Sequence, residues 1–287
     1  MAALSNEDLI NALEKALPEI AEEHQQEATA WNPGDWVPWD LGRNFAFLGG
    51  EDYDPSDSTL DPTAAAGLVA LLLTKDNLPS YHRILGMHFP PFSDWRNLVG
   101  VWTAEDNRHS IVLRDYLVVT RASDPVDAEN RRRIHVVAGW RQNPDALELT
   151  PMDALALLAV HENQCVGFVS RLRDRADDDV LTTILDKIRA DDSVQAATFE
   201  AFLSAGLVAD QEATVAAVDR ALEAMEPIGS DIADFDEQRA LIADFENEST
   251  NAAVAARLVD ELKLDSLQEL SADAEAARSR ILARAGR

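Results

Sequence analysis

A chain of 287 residues is long enough to bury a sizeable core and short enough to be one domain with appended helices. Its 25 Lys and Arg against 52 Asp and Glu give a formal charge of −27, which argues against nucleic acid or an anionic membrane as partner. The single cysteine, Cys165, excludes an internal disulfide and any cysteine-ligated cluster within one chain, so redox chemistry would need other ligands. Such acidity also suits a solubility or high-salt adaptation.

The segment Met1 to Asp8 has neither the basic start nor the apolar run of a secretory signal, and a cytoplasmic protein is expected. A first helix is predicted after Ser5, with Asp8 at the capping-box position and Leu9, Ile10, Leu13, Leu17 and Ile20 at helical spacing. Pro18 is expected to kink it. From Trp31 to Pro62 the pattern breaks into Pro, Gly, Asp and aromatics, among them Trp36, Trp39, Phe45 and Phe47. This reads as an ordered loop whose aromatics need packing partners.

Long helices follow. The spacing predicts one over about Thr63–Met87 and one from Ser93 through Asp106 and His109 to about Thr120, with a shorter one after Pro125. Another runs from Pro151 through Glu162 to about Arg175, and the last of the central set from Asp177 through Asp192 to about Gly206. The longest apolar stretch, Ala64 to Leu73, is too short to span a bilayer, so no membrane insertion is expected. Two or three more helices from Gln211 onward read as added packing. The expected fold is all-α: a four-helix bundle core at 62–206, preceded by a helix and aromatic-rich loop at 1–61 and followed by additional helices at 207–287.

The run Trp102-Thr-Ala-Glu-Asp-Asn-Arg-His109 continues into Leu113-Arg-Asp-Tyr-Leu-Val-Val-Thr-Arg-Ala-Ser-Asp-Pro125. In one frame it resembles the signature segment of the acyl-carrier-protein desaturases, and of their actinobacterial branch in particular. Trp31-Asn-Pro-Gly-Asp-Trp-Val-Pro38, Asn44-Phe-Ala-Phe-Leu-Gly-Gly50 and Lys75-Asp-Asn-Leu-Pro-Ser-Tyr81 fit in the same order, so the resemblance covers roughly Trp31 to Phe202. It implies a ferritin-like bundle, often a homodimer. The activity implied is insertion of a cis double bond into an acyl chain on acyl carrier protein, using O2, reduced ferredoxin and two irons. Because it is desaturases that this segment resembles, a metal-storage or ribonucleotide-reductase-like role is disfavoured.

Ferritin-like diiron bundles take one Glu from each of two helices and a Glu-x-x-His pair from each of the other two, since residues three apart share a helix face. The resemblance carries those ligands onto Lys75, then Asp106 and His109, then Glu162, then Asp192 and Gln195. The candidate metal ligands are therefore Asp106, His109, Glu162 and Asp192. Lys75 and Gln195 stand at altered positions: an ammonium cannot ligate, and an amide is neutral. Three carboxylates and one ammonium leave about −2, enough for one divalent ion such as iron or manganese but not for two. Alternatively Lys75 replaces metal outright in a buried ion-pair network. A third possibility is that a shift of helix register brings Asp76 or Glu105 inward.

Three further positions are implied to assist the chemistry: Asp191, Cys165 where the family has a threonine, and Trp31. As the densest basic stretch, Arg131, Arg132 and Arg133 form a candidate docking patch for acyl carrier protein, which is itself acidic, or else a solvated helix face. Two function classes stay open: an oxidoreductase with a modified metal site, and an inactive paralogue that binds acyl carrier protein or partners an active desaturase.

Overall fold

The computed structural model describes residues 4–138 and 149–287. Among them there are helices α1 to α12 and short 3-10 turns, with no strand. Helix α1, Asn6–Leu13, starts where the Ser5 hydroxyl oxygen accepts a hydrogen bond from the Asp8 amide at 3.1 Å. It ends before α2, Leu17–Glu27, because Pro18 has no N–H to give and its ring would meet the Glu14 carbonyl. The expected kink is therefore a full break.

Between α2 and α3 the chain makes four 3-10 turns, at Pro33–Asp35, Trp39–Leu41, Ala46–Leu48 and Pro55–Asp57. Trp31 and Trp36 are partly buried and pack against the core, as expected of the aromatics of an ordered loop. Phe47 does not: it projects from a turn at the rim and is 98% exposed.

Helix α3, Pro62–Asp76, opens on Asp61, whose carboxylate accepts from the Thr63 and Ala64 amides. The single helix predicted over Thr63–Met87 is two. Asn77 closes α3, and α4, Leu78–His88, begins with Pro79 in its first turn; in a continuous helix the Pro79 ring would strike the Lys75 carbonyl. The break leaves Lys75 in the last turn of α3, where the helix dipole favours a cation.

Next come α5, Trp95–Val119; α6, Pro125–Ala138; α7, Pro151–Arg173, opened by a Thr150–Asp153 capping box; and α8, Asp179–Ala209. Helix α7 runs along α8, α8 meets α5, α5 meets α3, and α3 with α4 returns to α7, which closes the bundle. Outside it lie α9, Gln211–Glu223; α10, Asp236–Leu241; α11, Glu248–Leu262; and α12, Ala272–Arg284. Ion pairs fasten these outer helices. Arg220 reaches Asp153 on α7, Arg257 reaches Glu200 on α8, and Arg280 and Arg284 of α12 share Asp219 on α9.

The buried apolar residues form two clusters. One gathers Leu78 to Trp102, Met152 to Val160 and Phe199 to Leu203 with the terminal helices. The other gathers Ala64 to Leu73, Val112 to Val119, Phe168 to Leu172 and Leu181 to Ile188. Each fully buried Leu or Ile contributes about 1.5–3 kcal/mol. At the levels of Lys75, Asp106, Glu162 and Asp192, between the clusters, the bundle core is polar. Among the described residues no helix is long and apolar enough to cross a membrane.

Candidate metal centre

The break after α3 aims the Lys75 side chain across the bundle. Its ammonium is 1% exposed and donates to Asp106 Oδ1 of α5 at 2.7 Å and to Asp192 Oδ1 of α8 at 2.9 Å, with Glu162 Oε2 of α7 at 3.8 Å. All four bundle helices thus send a charged or ionisable group to one point. Asp106 and His109 lie one helical turn apart on α5, and His109 Nδ1 donates to Asp106 Oδ1 at 3.2 Å. The other nitrogen, Nε2, donates to Asp191 Oδ2 at 2.9 Å. That same oxygen accepts from Trp31 Nε1 at 2.9 Å and from Arg108 Nε at 2.9 Å, while Arg108 also lies over the Trp31 ring.

Burial works against every charge in this layer. For Lys75, the carboxylates of Asp106 and Asp192 outweigh it and hold the ammonium well above its ordinary range. For His109, the hydrogen bonds to Asp106 and Asp191 outweigh it and raise the imidazolium to about 9. Asp106 stays well below the usual carboxylate range because Lys75 and His109 both face it. Glu162 goes the other way: burial pushes it up to about 8 despite the neighbouring ammonium. At neutral pH the ionised Asp106 therefore faces the Lys75 ammonium and the His109 imidazolium, burial pushes Asp192 up despite both cations, and Glu162 is the neutral acid. The proton on His109 and the proton on Glu162 both reduce the surplus of −2 counted from the sequence.

A pair of irons does not fit these residues. An ion bound by Asp106 and Asp192 at about 2.0–2.2 Å would need the space that the Lys75 ammonium fills. Gln195, fully buried, has no hydrogen-bond partner on its amide and offers no imidazole. Neither neighbouring acid is turned inward by a change of register. Asp76 is paired with Arg114, and Glu105 Oε2 lies 2.8 Å from His24 Nε2. One set of ligand atoms does cluster: those of Asp106, His109 and Asp192 lie within 4.8 Å of one another.

Cys165 is buried with its sulfur 3.7 Å from His161 Nε2. Burial raises the thiol well above its ordinary range and, with Lys75, pushes His161 down to about 3, so the pair is a neutral thiol beside a neutral imidazole. The basic stretch lies on α6. Arg131 and Arg132 pair with Asp127 and Glu129 of their own helix, and Arg133 is exposed.

Two groups at the centre escaped the ligand comparison. Trp102 donates from Nε1 to Glu162 Oε1 at 2.9 Å, and Arg108 braces Asp191. Trp102 precedes Asp106 by four residues, a spacing that puts both on the inner face of α5.

Residues 5–287 match the family described as fatty acid desaturase. Named as acyl-[acyl-carrier-protein] desaturases, DesA2 and DesA1 of Mycobacterium tuberculosis are both similar to the chain. DesA2 is 36% identical over 77% of this chain and 79% of its own length, and DesA1 is 45% identical over 46% and 39%. Acyl-[acyl-carrier-protein] desaturase 6, chloroplastic, of Oryza sativa is 27% identical over 67% of this chain and 49% of its own length. The X-ray structure of the M. tuberculosis DesA2 superposes with a TM-score of 0.74 at 28% identity, covering 91% of this chain and 96% of that one. With its four-helix core and the family's segments in order, the chain belongs to the fatty acid desaturase family.

Proposed function

We propose that this protein serves fatty-acid metabolism by binding acyl carrier protein, or the acyl chain it carries, without desaturating it. The observation that carries this reading is the Lys75 ammonium, bonded to Asp106 and Asp192 where the family's ligand set converges. Storing the two electrons needed for oxygen activation falls to a pair of irons in this family, and a buried lysine stores none. The names of the relatives supply the substrate class, since several are acyl-carrier-protein desaturases. A cytoplasmic homodimer, or a pairing with an active desaturase, suits such a role, and ferredoxin is then no partner.

Stearoyl- or palmitoyl-carrier protein is incubated with the protein, O2 and a reduced-ferredoxin system, and the acyl product is analysed by mass spectrometry. Binding is measured under the same conditions. Binding without a new double bond is expected. Turnover would select the other reading, a working desaturase with a single metal ion at Asp106, His109 and Asp192. If neither binding nor turnover is seen, acyl carrier protein is not the partner.

A further inference from the structure

We infer that Lys75 closes a latent one-metal site. When its ammonium is removed, Asp106, His109 and Asp192 take up one divalent transition-metal ion per chain. This deepens the proposed reading and rests on it in one respect, that Lys75 is what keeps metal out.

Four observations converge on it. The ligand atoms of Asp106, His109 and Asp192 lie within 4.8 Å of one another and all three residues are buried. Tetrahedral ligation at about 2.0–2.2 Å places ligand atoms roughly 3.4 Å apart, so shifts on the order of 1 Å complete the shell. Lys75 Nζ touches two of the three carboxyl or imidazole ligands through their own candidate atoms, at 2.7 and 2.9 Å, so ammonium and ion exclude each other.

Other atoms at the same place are left short of partners. Glu162 Oε2, on a fully buried side chain, lies 3.8 Å from Lys75 Nζ and has no hydrogen-bond partner; Asp192 Oδ2 has none either. A buried carboxyl oxygen without a donor is costly, and a metal ion is a natural partner for it. His109 is already oriented for ligation, because Asp191 holds its Nε2 at 2.9 Å and leaves Nδ1 facing the two carboxylates; the proton on Nδ1 is released to solvent as the ion takes its place. One imidazole with two or three carboxylates is a donor set for Mn, Fe, Co or Zn. The count stops at one: Gln195 stands where a second ion would take its imidazole, and a neutral amide compensates neither the charge nor the bond.

The test uses the full chain as wild type, Lys75→Ala and Lys75→Glu, each purified without metal and then given Co2+ alone. Bound cobalt is counted after gel filtration, ligation is read from the visible absorption of Co2+, and Tm is followed with and without the ion. The wild type is expected to retain no Co2+ and to keep its Tm. Both variants are expected to bind one Co2+ per chain with a rise in Tm, and adding His109→Ala should weaken that binding at least tenfold. Stoichiometric Co2+ on the wild type overturns the inference, because Lys75 then closes nothing. Two ions per variant chain, or none on a folded variant, overturn it too. A variant that folds neither alone nor with Co2+ also counts against it, since the ion is expected to take over the ammonium's place. None of these readings involves an acyl substrate, so the functional reading stands or falls separately on double-bond formation by the wild type.

Discussion

Removing one partner from the Lys75 network strands a charge where water does not reach. Asp106→Asn keeps the shape of the side chain and deletes an anion that faces both Lys75, at 2.7 Å, and His109, at 3.2 Å. Breaking a buried pair in this way costs about 3–5 kcal/mol, to be read as a fall in urea unfolding free energy. The same layer sets a pH dependence. His109 is raised in the folded state from 6.5 to about 9, so its stabilisation is complete below pH 6.5 and is lost as pH rises through 9. Glu162, raised from 4.5 to about 8, acts in the same sense: its share is complete below 4.5 and is lost as pH rises through 8. Tm is therefore expected to fall steadily between neutral pH and about pH 9. Glu162→Gln, which keeps an acceptor for Trp102 and has no proton to lose, should make that fall shallower; an unchanged slope would remove Glu162 from the explanation. The identity and rough placement of these residues were legible in the sequence, because carboxylate-x-x-His and its partners share helix faces. Their protonation was not. Whether Glu162 carries a charge depends on complete burial and on how many cations face it, which spacing along one chain does not encode.

At the scale of elements, Pro79 illustrates what periodicity conceals. Apolar spacing runs unbroken from Thr63 to Met87, and only the ring–carbonyl clash with Lys75 divides the stretch into α3 and α4. That division matters for the centre, since it puts Lys75 in a terminal turn, where a cation is favoured by roughly 0.3–1 kcal/mol, more when partly buried. Helix α6 raises the opposite question, of a face with no assigned partner. Val126, Ile134 and Val137 are exposed on it alongside Arg133, and Arg131 and Arg132 are held by Asp127 and Glu129. If the α6 arginines guide acyl carrier protein, Arg132→Glu with Arg133→Glu should weaken carrier binding about tenfold, or about 1.4 kcal/mol, and reduce its salt dependence, as surface electrostatic steering requires. Surface plasmon resonance at two salt concentrations reads both; equal affinity in wild type and variant would make α6 a solvated face. The sequence pointed to this stretch by charge density alone, and it was silent on the fact that two of its three arginines already have acidic partners on the same helix.

For the whole molecule, the sequence reading traced the resemblance only from Trp31 to Phe202, whereas the family match spans residues 5–287. Packing α9, α11 and α12 onto the bundle asks only for apolar faces and a few ion pairs, a requirement that many sequences meet and that leaves no motif to read. Those ion pairs work against a chain charge of −27, which repels itself in the compact state. Raising ionic strength from about 10 mM to about 150 mM shortens the screening length from ~30 Å to ~8 Å. Diffuse repulsion between distant carboxylates is damped by this more than pairs in contact such as Arg280–Asp219 at 2.6 Å or Arg257–Glu200 at 3.0 Å. Tm is accordingly expected to rise with NaCl across that range, by several degrees on a calorimetric scan. A fall would mean that the interhelical ion pairs contribute more than the net charge removes. In that case Asp219→Asn, which weakens both arginine contacts of α12 at once, should lower Tm at low salt and have little effect at high salt.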